Sequence, residues 1–456
     1  MNNSIKPNKM ETASIPKLVI TMSLPPIVSM LIQSMYNVVD SIFVSRISMD
    51  ALTAVSLAFP MQQVLVALFV GTGAGITSLI SRRLGEGDLE AASKVANHGL
   101  IINIVYSLLM VIVGIFFTPY FVSIFTHNPI LQDLTTKYLR IILIGSFGNF
   151  ITHAGISILQ ATGNTFTPMI TQLVGAIANI ILDPIFIFGW FGIPAMGVSG
   201  AALATVLGQF ASFALTMKVL FKDDNNLNLN LRGFTFDFKT IKDIYIVGLP
   251  AIIMQSLVSF MVSGLNIILI SYSSAAVAVL GIYYKLQSFI FMPIFGLAQG
   301  FRPIIGYNFG AKNKSRIMEA FKTAIAISIS IMVIGTIIFQ VFPKQLLSLF
   351  ESNAEMISIG TNALRTISLT FVVAAVGITI STTFQAFGKG IISLIISFTR
   401  QLVMLLPSAF ILSKLWGVNA IWWSFIIAEL ISVAIAVPSL YIYLKRTFKS
   451  WESNNN

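Results

Sequence analysis

Long apolar runs separated by short polar turns dominate the chain. Placing breaks where charged or Gly/Pro/Asn-rich positions interrupt the runs predicts helices over 18–45, 51–80, 95–117, 138–160, 168–190 and 198–221. A second set is predicted over 244–271, 275–301, 323–342, 363–387, 391–412 and 420–444. Each run is near or above the roughly 20 residues that a helix needs to cross the hydrocarbon core of a bilayer. Lipid offers backbone N–H and C=O groups no partner, so a spanning segment must satisfy them within itself, as a helix does. A membrane β-barrel would instead show alternating segments about half this length. Composition agrees, since 56% of the 456 residues are hydrophobic and only 10% are charged, a balance that excludes a soluble multidomain protein. The expected fold class is therefore an all-α integral membrane protein with twelve transmembrane helices.

The stretch 222–243 is the longest polar segment and contains Asp223, Asp224 and four Asn. It divides the chain into an N-terminal tail (1–17), a first lobe (18–221), the linker (222–243), a second lobe (244–444) and a C-terminal tail (445–456). Aligning the halves at a constant offset of 225 pairs Leu24-Pro25 with Leu249-Pro250 and Gln62 with Gln287. It also pairs Gly71, Gly75 and Gly85 with Gly296, Gly300 and Gly310, and Gln160-Ala161 and Gly163 with Gln385-Ala386 and Gly388. A deletion of five residues then brings Gly197-Val198 onto Gly417-Val418. An even number of spans in each half gives both the same orientation, so the two six-helix lobes are related by a pseudo-two-fold axis along the membrane normal.

Charge sets the topology. The net charge is +11, which in a soluble protein would point to nucleic acid; here nucleic acid is not expected, because the cations follow the turns. With the N-terminus inside, 20 of the 28 Lys and Arg fall in cytoplasmic segments, six fall outside, and Lys285 and Arg400 lie mid-span. Both termini are thus expected to be cytoplasmic, in a multi-pass protein of the cell membrane. No removable signal peptide is expected, because the polar first 17 residues lead into no short apolar stretch with a small-residue cleavage site. The absence of cysteine excludes disulfides and thiolate chemistry.

Acids inside the membrane are the sharpest chemical signal, because a carboxylate in hydrocarbon persists only with a partner or a purpose. Only Asp40, Asp183 and Glu429 qualify. Asp40 on helix 1 and Asp183 on helix 5 both fall roughly 8 to 10 Å below the outer edge, by the 1.5 Å rise per residue. Asn179 lies one turn before Asp183; Tyr36 and Asn37 lie one turn before Asp40; Thr205 on helix 6 reaches the same depth. Two carboxylates with amide and hydroxyl oxygens can exchange a proton or hold sodium, and the residues leave that choice open. A purely structural role, with Asp183 serving the Pro184 kink and Asp40 facing a wet vestibule, is the alternative. The repeat argues against scaffold, since Asp40 maps to Leu265 and Asp183 to Ser408 or Val403.

In the second half Lys285, Arg400 and Glu429 lie near half depth and form a possible charge cluster, with Glu429 expected to pair with Arg400 or Lys285. His153 is read as a buried structural histidine or a proton relay. No His/Asp/Glu grouping has metal-ligand spacing. The glycines of 71–75 lie inside a predicted span with no following Lys-Ser/Thr, so they read as a helix contact surface rather than a phosphate cradle. Without a nucleotide motif, transport must draw on an ion gradient, and no cofactor is expected beyond H⁺ or Na⁺ as coupling ion.

These residues resemble the multidrug and toxic compound extrusion (MATE) family. The resemblance covers the whole chain: two six-helix lobes, the Leu-Pro start of helices 1 and 7, and Gln160-Ala161-Thr162-Gly163-Asn164 before helix 5. Its most specific part is Asn179-Ile180-Ile181-Leu182-Asp183-Pro184 followed by Gly200-Ala201-Ala202-Leu203-Ala204-Thr205, which is most similar to the DNA-damage-inducible-type branch and its bacterial relatives. The resemblance implies a first-lobe cation site at Asp40, Asn179, Asp183 and Thr205, in a secondary antiporter, not an enzyme. Its implied cargo is amphipathic, often cationic drugs exchanged for inward H⁺ or Na⁺ as the lobes alternate access. Another branch carries acids on helices 7 and 10; here the middle of helix 7 offers only Gln255. Gln33, Tyr36, Asn37, Gln63, Gln172, Tyr283 and Gln287 are the expected substrate lining, helped by 36 Phe and 18 Met whose soft surfaces accept many shapes. The chain is expected to act as a monomer in the lipid bilayer. Two competing readings are a lipid-linked oligosaccharide flippase of the same superfamily, which usually has fourteen helices and a cationic cavity, and a membrane-embedded enzyme.

Overall fold

A computed structural model describes residues 9–222, 227–230, 234–350 and 353–453; Lys6, Asp223, Asp224, Arg232 and both chain ends lie outside them. Among the described residues there is no strand. Helices 1 to 6 are Ile15–Ser45, Met49–Gly85, Leu89–Phe125, the broken pair Pro129–Ile144 and Ser146–Ala161, Phe166–Phe188 and Val198–Leu220. Helices 7 to 12 are Phe238–Ile270, Ser274–Gly310, Lys314–Val341, the broken pair Ala354–Ser368 and Phe371–Ala386, Gly390–Trp416 and Val418–Ser453.

Several helices run past the limits read from hydropathy, and the reason is capping. Helix 3 starts at Leu89 rather than 95, because Asp88 accepts from Ala91 N (2.8 Å). Helix 9 starts at Lys314 rather than 323, because Asn313 accepts from Arg316 N (3.1 Å). Helices 4 and 10 start at Pro129 and Ala354, behind Asn128 accepting from Ile130 N (2.9 Å) and Asn353 accepting from Met356 N (2.8 Å). Ser48 and Ser273 cap helices 2 and 8 in the same way. Each of these caps satisfies an orphan N–H of a first turn, and each has its counterpart 225 residues away. Residues 445–453, expected as tail, continue helix 12, with Phe448 buried and the Trp451 ring 5.4 Å from Phe309. Helices 4 and 10 are bent by 45° and 49° at corresponding places.

The apolar packing divides the bundle into three clusters. One contains residues of both halves, among them Met22, Ile76 and Leu159 with Ile244, Phe301 and Phe384. The second lies wholly within 44–206 and the third wholly within 261–428. The halves therefore share a core at one end, the end that carries the linker, and keep separate cores at the other. Backbone contact makes the shared end. A methyl group on Gly71 would lie 2.6 Å from Ile252 N, and one on Gly296 would lie 2.6 Å from Ile27 N. Gly85 is likewise backed against the Tyr307 carbonyl and Gly310 against the Arg82 carbonyl. Ile27 and Ile252, and Arg82 and Tyr307, are themselves repeat partners, so the two lobes seal through a two-fold-related set of glycines.

Polar clips reinforce the same end. The Arg316 guanidinium donates to Met10 O and Ala13 O (both 2.9 Å) and holds the segment before helix 1. The linker docks on helix 3, where Asn228 N donates to Ser93 Oγ (2.9 Å) and Asp237 N to His98 Nε2 (2.9 Å). Lys94 Nζ pairs with Asp237 Oδ2 at 2.8 Å; this ammonium and the Thr240 hydroxyl hold the Asp237 carboxyl below the usual carboxylate range, so it is charged at neutral pH.

Overpacking a close helix contact typically costs about 1–3 kcal/mol. Gly71→Val and Gly296→Val should each lower the thermal unfolding midpoint of the purified protein. Gly281→Val should leave it unchanged, because nothing lies within 4 Å of a side chain there.

Candidate functional site

Helix 5 supplies the centre of the site. Asn179 and Asp183 sit four residues apart on one face and are 2% and 0% exposed. With its amide nitrogen turned to the acid, Asn179 donates to Asp183 Oδ2 (3.0 Å), while its oxygen accepts from Thr205 N (3.0 Å) and lies 3.3 Å from Thr205 Oγ1. Thr205 can reach it because helix 6 approaches helix 5 closely, Gly208 backing onto the Gly175 carbonyl. Pro184 has no N–H to give the preceding turn, which loosens helix 5 next to the acid.

Helix 1 brings Asp40 and, one turn earlier, Tyr36. The Tyr36 hydroxyl bonds with the Thr205 side chain and feels both carboxylates, and Asp40 and Asp183 are close enough to repel each other. The structure thus brings together Asp40, Asn179, Asp183 and Thr205. Helices 2 and 4 add two residues that sequence reasoning missed. Tyr138, 3% exposed, lies within electrostatic reach of Tyr36 and both acids, and its hydroxyl accepts from Gln62 Nε2 at 3.1 Å. Gln62 left a trace in the sequence, since the repeat pairs it with Gln287, but nothing in the sequence singled out Tyr138.

Among the described residues no cation faces these acids. Asp40 Oδ1 and Asp183 Oδ1 have no hydrogen-bond partner, and among the described residues no ion pair includes either carboxylate. Two carboxylates and three hydroxyls bring oxygen ligands together, while the Asn179 amide turns its N–H to Asp183. Such a set suits a proton or one hard monovalent ion.

The expected substrate lining fares unevenly. Gln33 is exposed, Gln63 and Gln287 are half-buried, and Tyr36 belongs to the acid site. Gln172 donates to Pro168 O of its own helix (3.3 Å). The side chain of Asn37 lies outside the described residues. Tyr283 must be corrected: it is 1% exposed and packs edge-on against Phe425 (5.9 Å), so it is core and lines no open surface.

The second-half cluster also needs correction. Arg400 Nη1 lies 3.3 Å from Glu429 Oε1 and 3.4 Å from Oε2, while Lys285 is exposed and sits over the Phe350 ring at 5.9 Å. Tyr283 and Leu286 point inward, and Lys285 between them necessarily points away, since successive helical residues turn by about 100°. His153 stacks on Phe69 with ring centroids 3.8 Å apart.

A family model, MatE, matches residues 25–185 and 250–411, two stretches whose starts are 225 residues apart like the repeat itself. The chain belongs to the MatE family. Its members are transporters, not enzymes, and those of known structure have twelve helices in two lobes. The multidrug export protein MepA of Staphylococcus aureus (strain MSSA476) is 27% identical over 437 residues, covering 96% of this chain and 95% of that protein. A multidrug resistance MATE transporter solved in an outward-facing conformation superposes with a TM-score of 0.91 at 28% identity, over 98% of this chain and 99% of its own. A transporter from Pyrococcus furiosus, described as having a binding pocket of reverse polarity that suggests a different function, matches equally well: TM-score 0.91, 28% identity, 97% and 99% coverage.

Removing the Tyr138 hydroxyl deprives Gln62 of its acceptor and the acids of a neighbouring dipole. Losing one such hydrogen bond costs about 0.5–1.5 kcal/mol. Tyr138→Phe should lower the unfolding midpoint accordingly, while Gln63→Ala, one residue from the true partner, should not.

Proposed function

We propose that this MatE transporter is a secondary multidrug antiporter that exports amphipathic, often cationic compounds in exchange for inward H⁺ or Na⁺. The observation that carries this is the acid site: Asp40 and Asp183 are held among Asn179, Thr205, Tyr36 and Tyr138, with no basic side chain among the described residues to neutralise them. A buried carboxylate pair in that state demands a positive charge from outside the chain, and a charge that can arrive can also leave. Asp40 and Asp183 are the exchanging groups; Thr205 supplies a neutral oxygen, and Asn179 holds Asp183 through its N–H. The role as exporter is supported by the relatives named as multidrug export proteins.

The linker end, rich in Lys and Arg, faces the cytoplasm, so both termini are cytoplasmic and the protein spans the cell membrane. The shared core then closes the inside, and the two separate cores leave the lobes parted toward the outside. Residues 18–221 and 244–444 act as the two moving bodies, joined by the linker 222–243, and rock about the glycine seal to alternate access. The cavity lies within one chain, which works as a monomer without a cofactor. Gln33, Gln63, Gln172 and Gln287 remain the proposed polar points of the lining.

The test uses protein reconstituted in liposomes loaded with a fluorescent lipophilic cation such as ethidium. An imposed proton or sodium gradient should drive ethidium movement in the parent protein. Asp40→Asn and Asp183→Asn should each reduce the gradient-driven rate by at least about tenfold, a loss of roughly 1.4 kcal/mol of coupling, with the unfolding midpoint preserved. Gradient-driven ethidium transport at the parent rate in either variant would exclude these acids as the coupling groups.

A further inference from the structure

The second lobe repeats the architecture of the acid site but not its chemistry. Helices 11 and 12 are the counterparts of helices 5 and 6. The five-residue deletion falls in the connection after Phe188, where the first half has a short turn at Trp190–Gly192 and the second half passes from Trp416 to Val418 through Gly417 alone. Asn179 then corresponds to Met404, Asp183 to Ser408 and Thr205 to Phe425. The oxygen set is gone. One helical turn nearer the linker end, Arg400 and Glu429 stand where the first lobe has Gly175 and Gln209.

The buried acids of the two lobes differ in how their charge is met. Asp40 and Asp183 each leave an oxygen without a partner. Glu429, 8% exposed, receives both of its recorded contacts from one guanidinium, that of Arg400. A π-helical stretch, Thr399–Leu405, widens the backbone at Arg400 where it turns toward helix 12. From helix 8, Tyr283 and Tyr284 face the pair, and on helix 10 Gly377 leaves room, a methyl group there lying 3.5 Å from Glu429 Oε1. No further charged side chain among the described residues is recorded against Glu429. Lys285 turns away to Phe350.

We propose that Arg400 is a tethered cation: it fills in the second lobe the role that an exchangeable ion fills in the first, so Glu429 is a latent site for a proton or a small monovalent cation. An arginine side chain does not deprotonate in a protein and cannot leave its helix. Glu429 therefore stays neutralised through the whole cycle, and exchange is confined to the first lobe. The Arg400 side chain is 26% exposed, so the protein does not seal it off completely. This inference rests on the reading of Asp40 and Asp183 as the exchanging pair.

Proton counting on purified protein in detergent tests it, as difference titrations between about pH 5 and 9, where a buried carboxylic acid freed of its counter-ion titrates. Arg400→Gln should bind about one more proton per chain in this window than Arg400→Gln/Glu429→Gln. Parent and Glu429→Gln curves should superimpose, because the Arg400 guanidinium already supplies the charge that a proton would bring. Arg400→Lys, which keeps a tethered charge, should follow the parent and guards against loss of the fold as the cause. If the Arg400→Gln curve coincides with that of the double variant, or if parent and Glu429→Gln already differ, the tethered-cation assignment is overturned. The comparison of parent with Asp183→Asn reports separately on the first-lobe reading. Should that pair coincide in sodium-free buffer while the Arg400→Gln extra proton appears, the first-lobe acids exchange no proton; sodium-driven ethidium movement kept at the parent rate in Asp183→Asn as well would sink the first-lobe reading, and the latent site stands.

Discussion

Everything in this architecture depends on two helix pairs touching backbone to backbone at one end of the bundle. Helix 2 meets helix 7 at Gly71 and helix 1 meets helix 8 at Gly296, each with a repeat-related isoleucine, Ile252 or Ile27, as the opposing surface. Such an approach is possible only where one partner has no side chain. It must also occur twice, because an axis relating the lobes reproduces every contact it makes. The consequence is visible in the packing: one core common to both halves at the sealed end and one private core per half at the other. Lobes that share a core at only one end can part at the other without breaking either private core. That is the mechanical condition for opening by rigid-body motion, since packed interiors switch between arrangements rather than stretch.

The symmetry of the frame sets off the asymmetry of its chemistry. Caps, glycines and the bends of helices 4 and 10 recur at an offset of 225, yet the buried acids do not. The first lobe spends four residues from three helices on two unpaired carboxylates and their neutral ligands; the second answers its single buried carboxylate with an arginine. Duplication fixes positions of backbone more strictly than it fixes side chains facing an interior cavity. Asn179 bridges helices 5 and 6 through Thr205, and its counterpart Met404 has no amide with which to do so. The lobes therefore differ in the chemistry of their buried acids and agree in the packing of their frame.

Much of this was legible in the sequence, and the reasons it was legible are physical. Spans announce themselves because lipid tolerates so little else, and Asp40, Asn179, Asp183 and Thr205 could be grouped because the 1.5 Å helical rise converts sequence position into depth. Depth, however, says nothing of which way a residue faces. Tyr138 escaped notice because a tyrosine in an apolar helix is unremarkable until its neighbours are known, and Tyr283 was misplaced for the same reason. Lys285 was grouped with Arg400 and Glu429 on depth alone, and the helical turn puts it on the other face. Helix limits were misjudged wherever charge was read as an end. Asp88 and Asn313 mark beginnings instead, and their recurrence at the repeat offset was available in the sequence to show it.

Helix 1 takes part in both the seal and the acid site, and this is what can join ion exchange to opening. Ile27 lies against Gly296, and Asp40 lies thirteen residues further on, about 20 Å along a rigid helix. Helix 2 has the same double duty, with Gln62 in the acid site through Tyr138 and Gly71 in the seal. In the proposed exchange, charging both acids would make Asp40 and Asp183 repel and push helix 1 from helix 5, and an arriving proton or sodium ion would remove that push. The displaced helix cannot move closer at its other end, because Ile27 already touches the Gly296 backbone. It can only pivot there. A ligand shifts an equilibrium by the difference in its interaction with two states, and here that difference arises at Asp40 while its effect is read at Ile27. In the proposed cycle the glycine that admits close contact at the seal would also be the fulcrum, and the distance between fulcrum and acid would set how far a small electrostatic adjustment moves helix 1.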